Sequence, residues 1–305
     1  MAQKKHQKGR NADRHATPRR STGHYGGNND QFAASQAAGS KRAPQRANQT
    51  EKRLRSSAQG FFIWGTHACE SAIKNPERRC LAIYATARMA DLVKGWCAAA
   101  HTADNKTLPK IQIVEKDLLD RLDHGQDKAV HQGIALEVLP LESPDLTEMI
   151  MGQHDLRLLI LDQVTDPRNV GAILRSARAF GVDGLVMTSR HAPEENGLLA
   201  RAAVGALENV PIIRVGNLAR ALDAMKEAHI ELAGLAANGT TMLDDLATSA
   251  RLGLILGAEG DGMRRLTREA CDHLCAISMH ETSESLNVSV AAGIALYATC
   301  RPNRT

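Results

Sequence analysis

The feature that most limits what this chain can fold into is the alternation, from residue 157 onward, of short apolar runs with helix-spaced stretches. Residues 157–161, 184–187, 211–215, 231–236, 252–256 and 274–278 read as buried strands. Residues 196–207, 218–228 and 266–272 carry helical spacing. Asp166 is placed to cap a further helix with Pro167 at its first position. Val170, Ile173, Leu174, Ala177 and Phe180 follow its apolar stripe, and Gly181 stops it. Strands that are apolar on both faces need helices on both faces, which predicts an α/β fold around a mostly parallel sheet. The last helix, 286–299, is apolar on most sides and is expected to be largely buried. It contains Asn and Ser and is too short to span a bilayer.

A second unit precedes this one. Strands are predicted at 61–65, 80–85, 111–114 and 134–139, with helices at 67–73, 91–100 and 116–122. With 305 residues the chain is long enough for two domains, each with its own core. The expected division is a basic tail at 1–56, a small α/β domain at 57–141, a linker at 142–153 and a larger α/β domain at 154–305. Residues 1–55 hold 13 Lys and Arg against Asp13, Asp30 and Glu51, a charge of +10, which leaves −6 on the other 250 residues. The tail has almost no large apolar side chains, so it is expected to be disordered and to favour polyanions, RNA above all. It shows neither the apolar core of a secretory signal nor the amphipathic stripe of a transit peptide. The six cysteines form no CxxC pair and read as reduced thiols of a cytoplasmic protein. Cys271, His273 and Cys275 have no second Cys/His cluster to complete a metal site and read as structural, so no metal is expected.

Three polar clusters follow strand-type runs, where open α/β sheets bind ligands. The first loop, Asp162 to Asn169, has no glycine, and no GxGxxG or Walker lysine motif follows the first strand, which argues against pyrophosphate cofactors. The glycine-rich loop comes late, at Gly257 to Gly262, and carries Glu259 and Asp261. Acids repel phosphates and suit a cationic ligand. S-adenosylmethionine, a sulfonium without phosphate, fits. Arg175 lies within two turns of Asn169, and Ser285 and Asn287 open the last helix, where unpaired N–H groups attract anions.

Asn169 to Arg175, Gly257 to Gly262 and Ser285 to Gly293, in that order, resemble the three motifs of the SpoU (TrmH-type) branch of the SPOUT methyltransferases. Glu259-Gly260-Asp261-Gly262-Met263-Arg264-Arg265-Leu266-Thr267 and the earlier Trp64-Gly65-Thr66-His67-Ala68 narrow the likeness. They match the subgroup that methylates a guanosine ribose 2′-hydroxyl in 23S rRNA. The resemblance covers residues 60–300. It implies a C-terminal trefoil knot, an obligate homodimer, and a small N-terminal domain that binds the RNA substrate. It also implies main-chain contacts to S-adenosylmethionine from Gly257, Ile277 and Leu286, and polar active-site roles for Asn169, Arg175, Glu259, Ser285 and Asn287. Val204 stands where the family commonly has a small or hydroxyl residue. Arginine keeps its proton, so Arg175 is expected to position the ribose or phosphate and stabilise oxyanion charge. Glu259 is a candidate proton acceptor and equally a candidate organiser of its loop. The rival readings are a tRNA 2′-O-methyltransferase, a non-catalytic RNA-binding assembly factor and a nicotinamide-dependent oxidoreductase.

Overall fold

Among the described residues, the seven strands after residue 155 pair only in parallel, as a chain with strands apolar on both faces requires. The computed structural model describes residues 56–104, 106–122, 130–152, 154–190, 192–246, 249–280 and 285–299. The basic tail expected at the N-terminus lies outside them.

The first sheet holds β1 (Phe61–Trp64), β2 (Cys80–Ala85), β3 (Ile111–Ile113) and β4 (Ile134–Val138) in the order β1-β4-β2-β3. β4 runs antiparallel to both β1 and β2, and β3 is parallel to β2. Helices α1 (Thr66–Lys74), α2 (Ala90–Asp104) and α3 (Lys116–Leu119) connect them. Residues 142–153, read from the sequence as a plain linker, contain α4 (Leu146–Gly152). Asp145 opens it by accepting from the N–H groups of Thr147 and Glu148. About two turns with one buried residue, Ile150, give periodicity too little to register.

The second sheet is formed by β5 (Leu156–Asp162), β6 (Gly184–Thr188), β7 (Ile212–Val215), β8 (Glu231–Leu235), β9 (Thr241–Met242), β10 (Arg251–Gly257) and β11 (His273–Ala276). Their order is β7-β6-β5-β10-β8-β11-β9, so a late strand, β10, sits between two early ones. Helices α5 (Pro167–Ala179), α6 (Gly197–Ala203), α7 (Leu218–Glu227), α8 (Arg265–Ala270) and α9 (Val288–Thr299) complete it. Asp166 caps α5, its carboxylate accepting from the Arg168 N–H at 2.8 Å. Val170, Ile173, Leu174 and Ala177 are buried. Each large aliphatic side chain so placed contributes about 1.5–3 kcal/mol.

Three expectations are corrected. The helix expected over 196–207 ends at Ala203, because Val204 and Gly205 take left-handed backbone angles (φ 50° and 84°) before a 3-10 turn at Ala206–Glu208. The last helix is covered less completely than expected: one stripe, Val290, Ile294 and Tyr297, is 50%, 38% and 60% exposed. The two sheets do not keep entirely separate cores either. One buried cluster runs from Ile63, Ile83 and Leu136 to Leu161, Ile173 and Leu254. Among the described residues no helix is long and apolar enough to cross a membrane.

Candidate active site

The carboxyl ends of β5, β8, β10 and β11 are neighbours, so the loops that leave them meet at one edge of the sheet. A cavity of about 470 Å³ lies there. Gly257, Ile277 and Leu286 all line it, together with Glu259, Ser285 and Asn287. Leu235 and Ala236, at the end of β8, line it too. Nothing in their sequence marks them; only the strand order brings them in.

The glycine loop closes as a tight hairpin. The Ala258 N–H donates to the Gly262 carbonyl at 3.1 Å, and the Gly262 N–H returns the bond at 3.0 Å. A Cβ on Gly257 would fall 2.1 Å from the Gly262 carbonyl carbon, so only glycine allows the two strands to approach this closely. Gly262 has φ +66° and makes the return turn. The sequence reading passed over Asp162, which anchors the loop from below. Its fully buried carboxylate accepts from the Arg264 backbone N–H at 2.8 Å and from Arg264 Nε at 2.7 Å. A carboxylate ending an otherwise apolar strand was the available signal.

Glu259 and Asp261 are both exposed, and of the two only Glu259 lines the cavity. Glu259 Oε1 accepts from Asn169 Nδ2 at 3.0 Å, Asn287 Nδ2 at 2.7 Å and the Val288 N–H at 3.4 Å. Asn287 Nδ2 also donates to Asn169 Oδ1 at 3.1 Å. Asn287 Oδ1, meanwhile, caps α9 by accepting from the Ser289 N–H at 2.9 Å. An amide is needed here because one side chain both accepts for the cap and donates to Glu259; an aspartate could only cap. The first turn of α5 and the start of α9 are thus tied to one carboxylate oxygen of the glycine loop.

Arg175 is apart from this network. It is exposed on α5, with no hydrogen bond or ion pair among the described residues. Next to it on α5, Ser176 faces α9: a Cβ on Gly293 would be 3.7 Å from the Ser176 hydroxyl. No basic side chain among the described residues lines the cavity. Cys275 does, but burial pushes its thiol above the ordinary range, which leaves it protonated and a poor nucleophile. His273 pairs with Glu231 at 2.7 Å, and the Cys271 thiol donates to the Thr267 carbonyl at 3.2 Å, so both have structural partners. A wider cleft of about 850 Å³ opens at the amino end of β7, the wrong edge for this chemistry, and is lined by Glu77, Glu142, Glu194, Glu195 and Glu208.

Comparison with known proteins adds the following. Residues 157–297 match the family described as SpoU rRNA Methylase, and residues 62–144 match the RNA 2′-O ribose methyltransferase substrate binding family. The chain is 39% identical over 250 residues to the 23S rRNA (guanosine-2′-O-)-methyltransferase RlmB of Escherichia coli strain K12, covering 79% of this chain and 98% of that protein. It is 38% identical to the protein of that name from Pasteurella multocida, covering 78% of this chain and 97% of the relative. The crystal structure of the SpoU methyltransferase AviRb from Streptomyces viridochromogenes, in complex with AdoMet, shares the fold. Its TM-score is 0.65 at 23% identity, over 80% of this chain and 90% of that one.

Proposed function

The chain belongs to the SpoU rRNA methylase family, and from that membership we propose that it transfers a methyl group from S-adenosylmethionine to a guanosine ribose 2′-hydroxyl of 23S rRNA. The observation that carries this reading is the convergence of Asn169, Asn287 and the start of α9 on Glu259, at the rim of a cavity that no basic side chain among the described residues lines. The residues fit the donor. The cavity is of small-molecule size and offers main chain and apolar side chains from Gly257, Ile277 and Leu286. Its acid suits a sulfonium and repels a phosphate. When bound, S-adenosylmethionine supplies a methyl group already activated for displacement.

The protein's own work is then placement. The Gly257–Gly262 hairpin and Leu286 would hold the donor, and Glu259 keeps the two asparagines fixed around it. Ser285, exposed ahead of α9, is placed to hold a phosphate of the RNA. Arg175 acts as a donor to the ribose or its phosphate and stabilises developing oxyanion charge. Glu259 serves as organiser, since three donors already occupy Oε1. The target hydroxyl must be accessible, which favours an RNA loop, and the 2′-OH itself distinguishes RNA from DNA. Residues 57–141 are assigned to RNA binding and 154–305 to transfer. The protein acts where ribosomal RNA is made, in the cytoplasm.

The same reading includes a homodimer and a knotted C-terminal path. β10 placed in the middle of the sheet supports the knot. Val290, Ile294 and Tyr297 form an exposed apolar stripe on α9, with Phe180 edge-on to Tyr297 at 6.3 Å, and such a stripe suits a second copy of the chain. Sedimentation should therefore give a dimer, and Ile294→Glu should give a folded monomer. A wild-type monomer at micromolar concentration would remove the dimer.

The direct test is to incubate the protein with labelled S-adenosylmethionine and undermethylated total RNA, then map the label. Label on a guanosine ribose of 23S rRNA is expected. Label confined to tRNA would transfer the activity to the rival substrate, and no label would favour a non-catalytic assembly factor.

A further inference from the structure

Away from the cavity, one guanidinium joins three parts of the chain. Arg78 lies between α1 and β2 and is fully buried. Its Nη1 donates to the Leu139 carbonyl at 2.7 Å and to Glu195 Oε2 at 3.1 Å. Its Nε donates to the Glu208 carboxylate at 3.0 and 3.1 Å. Leu139 follows β4 and begins the connection to β5. Glu195 precedes α6, and Glu208 closes the 3-10 turn after it. Asn75 Nδ2 adds a bond to Glu208 at 2.8 Å. Burial pushes the Glu195 carboxyl above its usual range, and Arg78 opposes that shift.

The surrounding contacts are as close. The Trp64 ring covers Gly197, where a Cβ would be 1.8 Å from a ring carbon. Val204, β-branched and at φ 50°, stands in a region such residues avoid. That turn seats Gly205 on Ser71 of α1, with a would-be Cβ 2.2 Å from the hydroxyl oxygen. On its other side α6 meets α5 with backbone in contact: a Cβ on Gly171 would be 2.5 Å from the Leu199 carbonyl. α5 carries Asn169 and Arg175. Packing is therefore continuous from Arg78 through α6 to the helix of the candidate site.

An apolar contact tolerates sliding, whereas a planar fork with three fixed acceptors does not. Rotating one sheet against the other would leave a buried carboxylate without its partner. We propose that Arg78 is a positioning residue for methyl transfer, fixing the orientation in which the small sheet presents RNA to α5. This rests on the reading above, that residues 57–141 hold RNA for a site built on residues 154–305. Arg78 touches no reacting atom. Its effect comes through geometry, where a misplacement of about 1 Å costs on the order of 100-fold in rate.

The test uses the full chain with Arg78→Lys, which keeps the charge and loses the fork, and Glu195→Gln, which removes one anchor without burying a new charge. Calorimetry reads the stoichiometry of S-adenosylmethionine binding, steady-state kinetics reads kcat and KM for 23S rRNA, and hydrogen exchange reads residues 66–74 and 197–208. For Arg78→Lys we expect full stoichiometry, KM for RNA within about twofold, kcat down about tenfold or more, and faster exchange on both faces. Glu195→Gln should show the same pattern at about threefold. A kcat that falls only in proportion to the binding-competent fraction reduces Arg78 to a structural residue and overturns the proposal. So does unchanged exchange, or faster exchange with normal kcat. Should the wild type leave 23S rRNA unmodified, the functional reading falls, while the exchange comparison still decides whether Arg78 locks the sheets together.

Discussion

Replacing Arg175 by alanine should lower kcat for methyl transfer by about 10²–10³, the cost typical of removing one donor to a developing oxyanion. Binding of S-adenosylmethionine should be unchanged, because Arg175 does not line the cavity. Its exposure, and the lack of a bond to any other described residue, are what permit the role. An arginine already paired within the fold would have to break that pair to meet RNA. Arg175→Lys keeps the charge without the planar fork and should fall between wild type and alanine. Near-normal transfer by both variants would remove Arg175 from the mechanism.

Gly257→Ala should weaken S-adenosylmethionine binding by about 100-fold or more, equivalent to roughly 2.7 kcal/mol. The added methyl would sit 2.1 Å from the Gly262 carbonyl carbon and 2.2 Å from the Met263 nitrogen, both backbone atoms. The hairpin cannot give way freely, because Asp162 holds Arg264 just beyond it. Overpacking of this kind costs about 1–3 kcal/mol, so the melting temperature should also fall. Calorimetry on folded protein separates the two effects. An alanine variant that binds the donor at wild-type affinity would show that this loop does not form the donor site.

Much of this was legible in the sequence, and the reasons are local. Apolar runs marked the longer strands, Asp166-Pro167 marked the start of α5, and Gly181 its end, since caps and stops act within a few residues. Gly257, Ile277, Leu286, Glu259, Ser285 and Asn287 line one cavity, whereas Asn169 and Arg175 lie on α5 outside its lining. The parts not legible depend on distant partners. Asp162 is a loop acid until Arg264 folds over it. Arg78 looks like a surface residue until Glu195 and Glu208 bury it. Val204 gives no sign that it will break α6, because its left-handed backbone is set by the contact between Gly205 and Ser71. The apolar face of α9 shows the opposite limit: composition reports that a helix is apolar and says nothing about which neighbour covers it.

The place of β10 also bears on how a newborn chain survives. β5 and β8 meet only through it, and Leu156 has no permanent neighbour on that side until Arg251 arrives. During synthesis β5 waits with an open, sticky rim, and pairings over such long loops form slowly. A product cut off before residue 251 is therefore not a weaker catalyst but a half-built scaffold prone to clumping, so premature termination should draw on chaperones and proteases.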